Sequence, residues 1–205
     1  MSRTRAFPRR PAPLAAMLAM VAAGASVLTG CGGSDTGSSS GDTKFVEGTG
    51  EITKVRKADR EAAPDISGKG VDGERLKLSD HRGKVVVLNV WGSWCAPCRA
   101  EAPNLAKVAE ETKAAGKDVQ FLGINTRDLD RANAKAFERN YGVDYPSFYD
   151  PSGKLILRFP KGSLSPQSIP STLILDRDGK IAVRALKELS EKELRSALDP
   201  LTARK

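Results

Sequence analysis

The run Val85-Val86-Val87-Leu88-Asn89-Val90-Trp91 leads, almost without a polar side chain, into Trp94-Cys95-Ala96-Pro97-Cys98. Four consecutive aliphatics leave no face for water, so the run reads as a strand covered on both sides, in the middle of a sheet. Ala96 to Ala115 then has helical composition. Leu105, Val108 and Ala109 fall on one side of it and Lys107, Glu110, Glu111 and Lys113 on the other. Gly116 ends this helix, and Pro103 interrupts its interior, where it should kink the axis. Two cysteines, two residues apart, therefore sit where a buried strand hands over to a helix N-terminus. The positive end of the helix dipole there favours a thiolate, the nucleophile in disulfide exchange. Pro97 presets the first turn, where its missing N–H would be unpaired in any case.

The elements on either side are those of an α/β domain. Arg75–Leu78 reads as a short strand after the turn at 71–74, and Ser79–Gly83 as a polar turn. Val119–Asn125 is a second buried strand, and Leu129–Tyr141 an amphipathic helix with Leu129, Ala132, Ala136, Phe137 and Tyr141 apolar and Gly142 as its stop. Tyr145–Asp150 reads as an extended segment, and 153–159 as one or two helical turns. Ser171–Leu175, the turn Asp176-Arg177-Asp178-Gly179 and Lys180–Arg184 form a hairpin, and Ser190 with Glu193 makes a capping box for a last helix through Leu201. Strands alternating with helices, closed by a hairpin, imply a three-layer arrangement.

Upstream, Arg3, Arg5, Arg9 and Arg10 precede an uncharged apolar stretch, Pro11–Leu28, the pattern of a signal peptide over residues 1–30. Leu28-Thr29-Gly30-Cys31 resembles the lipobox of bacterial lipoproteins, which implies a diacylated Cys31 as membrane anchor. An uncleaved signal anchor is the alternative, and either places the remainder outside the cytoplasm. Residues 31–62 are expected to be a flexible linker, with Gly32–Gly41 made only of Gly, Ser, Asp and Thr. A short hairpin around Gly48-Thr49-Gly50, between Phe45–Glu47 and Ile52–Val55, is expected near its end. Without the four leader arginines the net charge falls from +8 to +4. No basic cluster interleaved with aromatics remains, which argues against nucleic-acid binding.

A structural zinc site needs four ligands, yet the other cysteine is Cys31 and the sole histidine is His81. Haem attachment would need His directly after the second Cys, where Arg99 stands. A static staple closing so short a loop would stabilise little. What remains is a redox dithiol that needs no other cofactor. Cys95, beside Trp94 at the helix start, is the expected exposed attacking thiol, and Cys98 the resolving one.

Trp91-Gly92-Ser93-Trp94-Cys95-Ala96-Pro97-Cys98-Arg99-Ala100-Glu101-Ala102-Pro103 resembles the active-site signature of the TlpA/ResA-like branch of the thioredoxin superfamily, membrane-tethered thiol–disulfide oxidoreductases. The similarity extends over most of residues 63–200. It implies a thioredoxin-like domain over 63–205: a central mixed sheet flanked by helices, a strand–helix insertion at Thr126–Tyr149, and a C-terminal hairpin plus helix. It also implies a cis-proline at Pro170, within Ile169-Pro170-Ser171-Thr172, facing the disulfide. Backbone groups of Ile169 would then bind an extended substrate segment as an added strand, with Trp94 beside it. Asn89 stands where thioredoxin has a buried acid, so Glu101 becomes the candidate proton acceptor; its other reading is a solvated or Arg-paired helix residue. Trp91 reads as a packing residue and His81 as a turn residue.

Pro97, rather than His, before the second Cys resembles the reducing members, with potentials near about −270 mV instead of about −120 mV. The resemblance implies a CcdA/DsbD-type membrane electron donor and, as clients, disulfide-containing exported proteins, apocytochrome c among them. Two rivals share parts of the pattern. A peroxiredoxin-like peroxidase would have Thr three residues before the Cys, where Gly92 stands, and a Sco-like copper chaperone would space its cysteines by three and add a distal His.

Overall fold

The computed structural model describes residues 52–203. The signal peptide, Cys31, the tract 32–41 and the first half of the upstream hairpin lie outside the described residues. The buried run forms β4 (Val85–Trp91), in which every residue is buried. It pairs in parallel with β5 (Val119–Thr126), from Val85 opposite Val119 to Trp91 opposite Asn125. On its other side it pairs antiparallel with β7 (Ser171–Leu175), which puts Asn89 opposite Thr172. β6 (Ser147–Asp150) continues the sheet beyond β5, and β8 (Ile181–Ala185) and β1 (Ile52–Lys54) continue it beyond β7. A separate ribbon is made by β2 (Ser67–Lys69) and β3 (Arg75–Lys77).

Because strand side chains alternate between faces, β4 divides its residues between two cores. Val85, Val87 and Trp91 face α1 (Ala96–Ala114), α2 (Arg131–Tyr141) and α3 (Glu191–Thr202), which bring Leu105, Val108, Phe137, Leu194 and Leu198. Val86, Leu88 and Val90 face Ile66, Leu78, Ile156 and Phe159, contributed by the chain beside the ribbon and by 3-10 turns at Leu78–His81 and Ile156–Arg158. The fold is thioredoxin-like: a six-stranded mixed sheet with three α-helices on one face and an irregular layer on the other. A fully buried Leu such as Leu88 or Leu105 contributes about 1.5–3 kcal/mol.

α1 runs through Pro103 as one helix. Gly142 adopts φ +68° and closes α2, its N–H donating to Glu138 O. The capping box forms, Ser190 Oγ accepting from Glu193 N while the Glu193 carboxylate accepts from Ser190 N. In the β7–β8 turn Asp176 Oδ1 accepts from the N–H groups of Asp178 and Lys180.

Two expectations are corrected. The linker does not extend to residue 62, since Ile52–Lys54 is the edge strand against β8, with Ile52 opposite Ala185, and Ile181 N donates to Glu61 O. Ile52–Lys54 thus pairs residue for residue with Ala185, Arg184 and Val183. Leu129 is not part of α2: Asp130 caps the helix through Ala132 N, and Leu129 stands 91% exposed. The segment 153–159, read as one or two helical turns, contains one 3-10 turn, as expected.

Candidate active site

β4 and β5 run parallel and end together, so the chain leaving Trp91 and the chain leaving Thr126 emerge side by side. The cysteines lie just beyond that edge. Cys95 is the N-cap of α1 and is disulfide-bonded to Cys98 in the first turn, with Cα atoms 5.2 Å apart. Cys98 N donates to Cys95 Sγ at 3.2 Å. In the reduced protein the same N–H, backed by the helix N-terminus, stabilises a thiolate on Cys95.

Start of β7 supplies the opposite wall. The Ile169–Pro170 peptide bond is cis, and Ile169 O lies 3.8 Å from Cys95 Sγ. The exposure expected of Cys95 is corrected in this oxidised state: it is 3% exposed against 1% for Cys98, because the partner sulfur and Ile169 cover it. Trp94 is the open residue of the group, at 43% exposure. Its indole folds back over Gly92 and donates to Thr126 O at 3.3 Å. A Cβ at position 92 would lie 2.5 Å from Trp94 Nε1, so the Thr that a peroxidatic site needs has no room here. Trp91 is buried and stacks on Phe137, its ring centroid 4.4 Å away, as a packing residue should.

Glu101 is neither solvated nor paired with Arg, which corrects the alternative reading. It is 1% exposed. Its Oε1 accepts from Asn89 Nδ2 at 2.8 Å and its Oε2 from Leu189 N at 3.0 Å. Asn89 Nδ2 also donates to Thr172 Oγ1 at 3.1 Å. Burial pushes the Glu101 carboxyl up to about 7, against the pull of the Leu189 and Asn89 hydrogen bonds, and Glu188 nearby adds to the rise. A carboxyl that titrates near neutral pH, one helical turn beyond Cys98, is suited to give and take a proton. Asn89 cannot do so, and its part is to hold that carboxyl.

Cys95, Cys98, Trp94, Ile169 and Pro170 thus meet at one end of the sheet, with Glu101 three residues beyond Cys98 on the buried face of α1. Cys31 lies outside the described residues. His81 sits at the opposite end of β4, separated from the dithiol by roughly 20 Å of strand, so it cannot join the sulfurs in holding copper.

The loop after β5 also shapes the site, without a mark in the sequence. Asp128 is 3% exposed, and its carboxylate accepts from Ser93 N at 2.9 Å, Ser93 Oγ at 2.5 Å and Asn125 Nδ2 at 2.6 Å. Arg99 reaches back to Ser93 O at 2.9 Å. The segment leading to Cys95 is therefore fixed from two sides. Asp128 was visible as one acid among many, and nothing local marks it as buried.

Known proteins agree with this geometry. The family profile described as the AhpC/TSA family matches residues 60–184. The thiol-disulfide oxidoreductase ResA of Bacillus thuringiensis is 30% identical over 140 residues, covering 68% of this chain and 76% of that protein. A secreted thiol-disulfide isomerase from Corynebacterium glutamicum superposes with a TM-score of 0.71 at 37% identity, over 80% of this chain and 99% of that one. A DsbF homologue from Corynebacterium diphtheriae gives a TM-score of 0.70 at 33% identity, over 78% and 100%. With a dithiol at a helix start and these relatives, the chain belongs to the AhpC/TSA family, as a thioredoxin-like thiol–disulfide oxidoreductase similar to ResA.

Proposed function

We propose that the protein is an extracytoplasmic, lipid-anchored disulfide reductase. The Cys95 thiolate attacks a substrate disulfide, forming a mixed disulfide and expelling one substrate thiolate. Cys98 loses its proton to Glu101 and attacks Cys95 Sγ, which releases the second substrate thiolate and closes the Cys95–Cys98 bond. Two electrons have passed to the substrate, and a membrane dithiol donor of the CcdA/DsbD type restores them. The observation that carries this cycle is the buried Glu101 carboxyl, held by Asn89 and Leu189 and poised at about 7 on the helix that bears both cysteines.

Pro97 between the cysteines supports the reducing direction, and the secreted character of the Corynebacterium glutamicum relative supports the compartment. Disulfide-containing exported proteins, including apocytochrome c, are the clients this implies. Equilibrating the Cys95–Cys98 pair with glutathione tests the direction: the reading requires a potential below about −230 mV, and a value above about −180 mV contradicts it. Loss of membrane association in Cys31→Ser, with the redox potential unaltered, tests the anchor.

A further inference from the structure

The loop between β5 and α2 carries a feature that disulfide exchange as such does not use. Arg127 has φ +61°, a left-handed conformation that a residue with a Cβ seldom adopts. Strain of this kind persists only where its surroundings impose it, and here they do. On one side of Arg127, Trp94 Nε1 holds Thr126 O. On the other, Asp128 is tied down by Ser93 and Asn125, and the Tyr149 hydroxyl donates to the carbonyls of Asp128 and Leu129 at 2.9 and 3.1 Å.

The result is that the exposed Arg127 guanidinium lies 4.5 Å from the centroid of the Trp94 ring. Trp94 adjoins Cys95 and is an exposed large side chain beside the dithiol. The neighbouring carboxylates are already engaged: Asp128 is buried beneath its donors, and Asp130 caps α2. A fixed, solvent-facing cation therefore stands at the mouth of the site, next to the exposed side chain of Leu129. Because the loop is preorganised, a substrate need not spend binding energy ordering it.

We propose that Arg127 is a specificity-determining residue, which selects substrate segments that carry acidic side chains beside the reacting cysteine. The inference rests on the thiol–disulfide exchange at Cys95 proposed above. In that exchange the substrate lies along Ile169 with one flank over Trp94, and an Asp or Glu on that flank meets the guanidinium. A basic flank is repelled, and this discriminates among exported disulfides that the main-chain contacts alone would accept equally.

The test uses the full-length protein, pre-reduced, and three peptides of one sequence with Glu, Gln or Lys on both sides of a cysteine blocked by 2-mercaptoethanol. Second-order rate constants for reduction are normalised to those with dithiothreitol, which removes intrinsic differences between the peptides. At low ionic strength the Glu peptide should react about fivefold faster than the Lys peptide, the range of exposed charge pairs, and the ratio should shrink in about 1 M salt. Arg127→Gly, which suits the left-handed backbone, should bring the ratio close to one, and Arg127→Glu should invert it. An inverted preference is something a merely structural role for Arg127 would not produce. Equal rates in the wild type, or a ratio that survives Arg127→Gly, would overturn the assignment. Failure to reduce any of the peptides would overturn the exchange reading itself, and this inference with it.

Discussion

Asn89 Nδ2 donates to Glu101 Oε1 at 2.8 Å, so the middle of the central strand is joined to the helix that carries both cysteines. The bond sets a neutral amide against a titratable acid: Asn89 stays neutral and Glu101 does the titrating. Leu189 N on the second oxygen means that both carboxylate oxygens act as acceptors. The site thus favours a carboxylate by hydrogen bonding and disfavours it by burial, and burial prevails.

The sign of the pH dependence follows. An acid whose folded value, about 7, exceeds its ordinary value of 4.5 binds its proton more tightly in the folded chain. Its contribution to stability is full below about pH 4.5 and is lost as pH rises to about 7, by about 3 kcal/mol. Urea unfolding at pH 5 and pH 8 should show this loss, and in Glu101→Gln the difference between the two should shrink by a similar amount. An unchanged difference would show that Glu101 titrates normally.

Asn89→Asp would place a second carboxylate against Glu101 and remove a donor from it. The two acids would then share one proton. We expect the variant to lose about 3 kcal/mol relative to the wild type at pH 8, and much less at pH 5, where the shared proton is retained. Equal losses at both values would contradict the pairing.

Gly92→Thr meets the Trp94 indole, since even its Cβ would lie 2.5 Å from Nε1. The indole must swing away, breaking its bond to Thr126 O, at a cost of about 1–2 kcal/mol. Tryptophan fluorescence should change, disulfide exchange should slow, and no peroxidase activity should appear. Consumption of peroxide by this variant would revive the peroxidase reading.

Much of the fold was legible because its signals are local. The aliphatic run Val85–Trp91, the capping box at Ser190 and the hairpin around Asp176–Gly179 each carry their meaning in a few residues. What was missed depends on distant partners. Ile52–Lys54 becomes a strand through β8, and Glu101 is buried because Asn89 and Leu189, 12 and 88 positions away, come to meet it. One clue to Glu101 was present: it lies on the same stripe as Cys98, Ala102, Leu105, Val108, Ala109 and Thr112, the buried face of α1. Leu129 was drawn into a helix by apolar spacing, whereas Asp130 decides where that helix starts. The left-handed Arg127 has no signature in the sequence, since its conformation is imposed by Trp94, Asp128 and Tyr149.

The division of labour between the two sulfurs is tested most directly by trapping. Cys98→Ser and Cys95→Ser, each reduced and then exposed to a disulfide-bonded substrate, are compared for the rate at which a stable mixed disulfide forms. That division requires rapid accumulation on Cys95 in Cys98→Ser, where the thiolate keeps the backbone N–H of residue 98 and the resolving thiol is gone, and little adduct on Cys98 in Cys95→Ser. Equal or faster adduct formation on Cys98 would contradict it.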